Sequence, residues 1–170
     1  MESVSVLNIS GLPGIIFGAG KYSELPNVIR LYGYRTLIII GGESLKKSGR
    51  LNALAMELNQ AHIQYKIVSI WDEPSTEAID AMASQFRKTP VDVVVAIGGG
   101  SVIDFGKAVS AMLPVEGSVK DYLEGVGTRK PSGAKVPFVA VPTTAGTGSE
   151  ATKNAVVCDR QEGYKKSLRH

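Results

Sequence analysis

Two stretches of this chain gather glycines and hydroxyls in the pattern that suits a phosphate. The first runs Ile97-Gly98-Gly99-Gly100-Ser101-Val102-Ile103-Asp104 and joins an apolar run to an amphipathic one. Glycine carries no Cβ, so the backbone can turn sharply there and come close to a ligand. The opening amides of a helix have no partner within it and carry the positive end of its dipole. A diphosphate set at that point gains charge-assisted hydrogen bonds without a basic side chain. Ser101 is read as the cap of the helix and as a further donor to a phosphate oxygen. The plainer reading is a strand-to-helix turn with glycines for tight packing; three glycines in a row favour the phosphate. The pattern is neither G-x-G-x-x-G nor the P-loop.

The second stretch is Val141-Pro142-Thr143-Thr144-Ala145-Gly146-Thr147-Gly148-Ser149-Glu150. Its four hydroxyls and two glycines make a polar loop that allows close approach. It can equally be a helix entrance capped by Thr147 or Ser149. Asp104 and Lys107 stand at i, i+3, and by spacing alone they read as a surface ion pair worth about 0.3 kcal/mol.

Alternating strands and helices must position these loops. Thr36–Ile40 is a β-branched run stopped by Gly41-Gly42, Tyr65–Ile70 a second run, and Asp92–Ile97 the third and most apolar. Such runs suit the buried strands of a parallel sheet. Phe138–Val141 makes a fourth strand and Ala155–Cys158 a fifth. Ile15-Ile16-Phe17 reads as a strand and turn leading to a helix around Leu25 to Leu31. Leu51, Leu54, Ala55 and Leu58 recur at helical spacing. So do Ile79, Met82, Ala83 and Phe86, behind a cap at Ser75, and Val102, Phe105, Val109 and Met112 in a helix beginning near Ser101. A short helix is expected near Val119 to Leu123. The alternation predicts an α/β fold, a Rossmann-like parallel sheet with helices on both faces. Ligands of such sheets bind beyond the carboxyl ends of the strands, where this sequence places its glycines, serines and threonines.

Composition narrows the function. In 170 residues the net charge is only +3 and 6% are aromatic. The basic residues are scattered, so a nucleic-acid partner is not expected. The longest apolar stretch, Val91 to Ile97, is far below the roughly 20 residues that span a bilayer. The start, Met1-Glu2-Ser3-Val4, has no basic segment and no long apolar one, so secretion is not expected. Cys158 is the only cysteine, which excludes an internal disulfide and suits a reducing, cytoplasmic setting. Asn8-Ile9-Ser10 matches a glycosylation acceptor by chance in that setting.

Gly98-Gly99-Gly100-Ser101-x-x-Asp104-x-x-Lys107, together with Pro142-Thr143-Thr144-Ala145-Gly146-Thr147-Gly148-Ser149-Glu150, closely resembles the iron-containing (group III) alcohol dehydrogenase family. The resemblance runs from about Phe17-Gly18-Ala19-Gly20 to the last residue. It implies that Gly98, Gly99, Gly100, Ser101 and Asp104 hold the diphosphate of a nicotinamide dinucleotide. Thr143, Thr144 and Thr147 would reach the phosphates and the nicotinamide ribose, and Thr152 would add a hydroxyl. Lys165 would lie near the ribose, or Lys166 if the register differs by one. Glycerol dehydrogenase and dehydroquinate synthase relatives share the glycine loop, but the Ala145 to Glu150 stretch is unlike theirs.

The same resemblance implies a parent enzyme, a homo-oligomer, that transfers hydride between NAD(P)(H) and a small alcohol or aldehyde. A divalent metal, Fe or Zn, would sit in a helical C-terminal domain. Only His62 and His170 are histidines, so residues 1–170 are expected to form one dinucleotide-binding domain, truncated before the metal and substrate domain and inactive alone. The competing reading is a stand-alone nucleotide-binding module. NADP is the expected cofactor, with NAD second. Gly42 stands where NAD-preferring members tend to have Asp, leaving room for a 2′-phosphate. The amides of Gly41 and Gly42, the Ser44 hydroxyl and Lys46 or Lys47 would receive it. Glu43 argues the other way, since an acid here would accept from a 2′-hydroxyl.

Overall fold

The computed structural model describes residues 13–169. The Asn8-Ile9-Ser10 tripeptide, the first residues and His170 lie outside them. Four parallel strands form the central sheet: β1 (Arg35–Gly41), β2 (Gln64–Ile70), β3 (Val93–Gly98) and β4 (Phe138–Pro142), in the order β2-β1-β3-β4. β1 and β3 pair in register from Thr36↔Val93 to Ile40↔Ile97. Both are buried on both faces, as their unbroken β-branched composition requires.

The helices divide between the two faces. Ile38, Ile40, Val93, Val95 and Ile97 face α1 (Leu25–Arg30), α2 (Ser44–Lys47) and α3 (Arg50–Gln60), whose Leu25, Ile29, Leu45, Leu51, Leu54 and Leu58 complete that layer. Leu37, Ile39, Val94 and Ala96 face α4 (Thr76–Arg87) and α5 (Gly100–Met112), through Ile79, Ala83, Phe86, Phe105, Val109 and Met112. The Ser75 hydroxyl accepts from the Ala78 amide at 3.2 Å and caps α4, as its position predicts. The short helix expected near Val119 to Leu123 is present as the 3-10 helix Val119–Tyr122.

The chain after β1 crosses one face and the chain after β3 the other. The crevice between the carboxyl ends of these two strands is therefore a topological switch point, where α/β sheets bind ligands.

Three expectations change. Ala155–Cys158 does form a strand, β5 (Asn154–Asp159), but it leaves the parallel sheet. It pairs antiparallel with β6 (Tyr164–Arg169), and this hairpin packs Ala155, Val157 and Leu168 against α5. Ile15-Ile16-Phe17 is not a strand: among the described residues no strand pairs with it, and Phe17 is 95% exposed. Gly99, not Ser101, is the N-cap of α5; Ser101 lies inside its first turn.

Candidate functional site

The two loops singled out by composition meet at the switch point. The Thr143 amide donates to the Gly98 carbonyl at 2.9 Å, tying the end of β3 to the start of the threonine loop. The two are packed so closely that a Cβ on Gly99 would lie 3.3 Å from Thr144 Oγ1, and one on Gly100 would lie 3.1 Å from Thr147 Cγ2 and 3.2 Å from Ser149 Oγ. Thr143, Thr144 and Thr147 are exposed above this floor. The helix-entrance reading of the loop does not hold, because only the three-residue 3-10 turn Ser149–Ala151 follows it.

The first bond of α5 at this end runs from the Ile103 amide to the Gly99 carbonyl at 3.1 Å. The amides of Gly100, Ser101 and Val102 thus precede the intrahelical ladder and carry the positive end of a 13-residue helix dipole. Gly98 and Gly41 have a different reason for lacking a side chain. A Cβ on either would fall 2.5–2.6 Å from Val102 Cγ2, so both allow α5 to sit down on β1 and β3.

Asp104 and Lys107 are not the surface pair their spacing suggests. Their side chains are only 12% and 14% exposed and lie 3.1 Å apart, in contact but off-axis for a hydrogen bond. Asp104 Oδ2 accepts from the Val156 amide at 3.1 Å. Lys107 Nζ donates to the Asn154 carbonyl at 2.6 Å and to Thr152 Oγ1 at 3.2 Å. The pair ties α5 to the hairpin, and Thr152 is part of that tie.

The hairpin forms the far wall of a cleft lined by Gly100, Ser101, Asp104, Ser149, Cys158 and Lys165, with Glu73 and Pro74 at its rim. Neighbouring residues on a strand point to opposite faces. Lys165 therefore reaches the cleft, whereas Lys166 Nζ turns toward Gly125. Lys165 Nζ lies 2.7 Å from Glu73 Oε1, and this carboxylate holds its ammonium above the usual lysine range. Motif reading passed over Glu73. Its one sequence signal is its place just after β2, at the same edge as the glycine loops.

The cleft encloses about 130 Å³, against roughly 300–1,000 Å³ for pockets that engulf a drug-sized ligand. It can grip part of a dinucleotide and leaves the rest open. A diphosphate fits the donor set: free helix amides, exposed hydroxyls, one lysine, and a floor with no Cβ. A metal does not fit. Among the described residues no group of three or more His, Cys, Asp or Glu side chains converges. His62, exposed at the end of α3 with φ of 56°, stands apart from the cleft.

Further along the edge the expected 2′-phosphate receptor is less open than its sequence suggests. The Gly42 amide is spent on the Ile70 carbonyl at 3.2 Å, in a left-handed turn with φ of 52°. Lys46 Nζ lies 3.2 Å from Glu43 Oε1, so this lysine is paired, while Lys47, the other cation expected there, is exposed. Ser44 is exposed in the first turn of α2. No helix among the described residues is long and apolar enough to cross a membrane.

Comparison with known proteins identifies the family and the fold. The family model for iron-containing alcohol dehydrogenases matches residues 13–170. The chain is 31% identical over 144 residues to a probable NADH-dependent butanol dehydrogenase of Bacillus subtilis (strain 168), covering 84% of this chain and 36% of that protein. It is 29% identical to an NADPH-dependent butanol dehydrogenase of Clostridium saccharobutylicum, covering 92% and 39%. Among solved structures, a sulfoacetaldehyde reductase from Bifidobacterium kashiwanohense in complex with NAD+ superposes with a TM-score of 0.79 at 29% identity, over 97% of this chain and 43% of that one. The chain thus spans less than half the length of these relatives. Their cofactors divide between NAD(H) and NADPH, and with Gly42 and Lys46 already engaged, NADP as the first choice finds no support. The matched span, the shared parallel fold and the paired glycine and threonine loops agree: the chain belongs to the iron-containing alcohol dehydrogenase family.

Proposed function

We propose that residues 13–169 form one dinucleotide-binding domain that grips a nicotinamide dinucleotide by its diphosphate at the switch point. The observation carrying this reading is the joined floor of Gly99, Gly100, Thr144 and Thr147 before the free amides of α5. In it Gly99 and Gly100 admit the phosphates and the Gly100 and Ser101 amides bind them. Thr143, Thr144 and Thr147 hold the adjoining ribose and phosphates, and Lys165 adds a positive charge from the hairpin. Gly98, Asp104 and Thr152 act by fixing α5 and the hairpin, and Gly41, Gly42 and Ser44 border the adenosine ribose. The Glu43 carboxylate, an acid just beyond the end of β1, favours the 2′-hydroxyl of NAD(H) over the 2′-phosphate of NADP(H).

The nicotinamide supplies hydride transfer to or from a small alcohol or aldehyde, the chemistry of the relatives' names. This chain's part is to bind and orient. On its own it is expected to bind without turnover, since no metal-ligand cluster stands among its described residues. The exposed Ile15, Ile16 and Phe17 favour burial against another surface, in keeping with a homo-oligomer, and the single cysteine favours a cytoplasmic setting.

Trp71, the only tryptophan, is 67% exposed just after β2 at the ligand edge. NADH titrated into the chain should quench its emission saturably and gain sensitised emission of its own. No saturable change up to about 1 mM would end the reading.

A further inference from the structure

We propose that Glu73 is a specificity-determining residue of this site, a built-in counter-charge that holds Lys165 until a ligand phosphate displaces it. The inference rests on the dinucleotide reading above. Glu73 and Lys165 lie 2.7 Å apart and both line the cleft in front of the α5 N-terminus. Their registration is fixed by backbone, not by chance meeting of long side chains. Lys165 stands directly across the hairpin from Cys158. The Cys158 amide in turn donates to the Pro74 carbonyl at 2.8 Å, and Ser75 bridges to Cys158. Glu73 is therefore delivered to the lysine by a hydrogen-bonded strand contact.

The pair is suited to exchange, because the two side chains are 58% and 57% exposed and an ion pair in water contributes little to stability. Nor is it needed to hold the hairpin. Arg160 Nη2 pairs with Asp72 Oδ2 at 3.0 Å beside it, and the Asp104–Lys107 tie anchors the other end. A free lysine before a helix N-terminus would attract any small anion. With Glu73 in place, a ligand must also engage the glycine amides and threonine hydroxyls before it outcompetes the carboxylate. The device selects ligands whose phosphates span from Gly100 to Lys165.

Binding of ADP-ribose, which carries the diphosphate, and of adenosine, which carries none, distinguishes this role from a structural one. Glu73→Gln should tighten ADP-ribose about threefold at low salt, leave adenosine unchanged, and steepen the salt dependence of ADP-ribose binding as Lys165 becomes free to hold a counter-ion. Glu73→Asp, which keeps the charge, should bind as the wild type does. In a Lys165→Ala background Glu73→Gln should give no gain. If wild-type protein binds ADP-ribose but Glu73→Gln leaves it unchanged, or weakens both ligands alike, the counter-charge role is wrong while the dinucleotide reading stands. If wild-type protein does not bind ADP-ribose at all, the dinucleotide reading fails and this inference with it.

Discussion

Asp104 Oδ2 accepts a hydrogen bond from the backbone amide of Val156 at 3.1 Å, across 52 residues of sequence. Asp104 lies one turn into α5, and Val156 lies in the hairpin that walls the cleft. The helix whose N-terminus faces the proposed diphosphate is thereby fixed to the strand pair that brings Lys165 opposite it.

Loss of that tie should cost stability. Breaking a buried ion pair costs about 3–5 kcal/mol, but Lys107 keeps its bonds to Asn154 and Thr152. Asp104→Ala is therefore expected to lose roughly 2 kcal/mol in urea unfolding, and Asp104→Asn, which can still accept from Val156, about half as much. Equal stability of Asp104→Ala and the wild type would remove the tie from the account.

Gly106 lets α5 rest directly on the sheet. A Cβ there would fall 2.7 Å from Ala96 Cβ and 2.8 Å from Phe138 Cε2. Gly106→Ala should destabilise the fold by about 1–3 kcal/mol through overpacking, despite the better helix propensity of alanine. A stability gain in thermal unfolding would show that the helix is free to move away.

Arg35 and Asp92 give stability a defined acid limb. The Arg35 guanidinium bonds the Asp92 carboxylate, and the amides of Tyr34 and Arg35 add to it, holding its pKa below the usual carboxylate value. A carboxyl with a depressed folded pKa contributes stability that is fully present above its unfolded pKa, about 3.9. That contribution is lost as pH falls through the lower folded value. Asp92→Asn should therefore lower stability at neutral pH and flatten its decline below about pH 4. An unaltered acid limb in unfolding curves from pH 3 to 7 would assign that limb to other groups.

Cofactor choice should turn on Glu43. Its carboxylate holds Lys46, so the wild type should bind NADH at least as tightly as NADPH. Glu43→Gln frees the lysine and should move the affinity ratio toward NADPH by about threefold or more at low salt. The two affinities compared at one fixed salt concentration decide it; an unmoved ratio would mean that Lys46 does not face the 2′ position.

Much of this was legible in sequence, for physical reasons that also explain the failures. Val93–Ile97 announces a buried parallel strand because both its faces need apolar residues, and the glycines after it announce the approach of something to the backbone. β6 was hidden because Lys165-Lys166 reads as a charged tail; it is a strand only because β5 pairs with it. Ile15-Ile16-Phe17 has strand composition but no strand partner among the described residues. The Asp104–Lys107 spacing gave no sign that a hairpin some fifty residues later would bury it. Such features belong to tertiary packing, which local pattern does not encode. The strand alternation placed both loops at one sheet edge, and the family resemblance brought them to one ligand.

The central claim is that the backbone floor at Gly99 admits a diphosphate, and Gly99→Val tests it most directly. Gly99 has φ of −77° and ψ of −174°, which valine adopts without backbone strain; the added side chain fills the floor and presses on Thr144, 3.3 Å from the new Cβ. Calorimetric titration with NADH, on protein shown by circular dichroism to be folded, should give an affinity at least tenfold weaker than the wild type, about 1.4 kcal/mol. An unchanged NADH affinity in folded Gly99→Val protein would contradict the account.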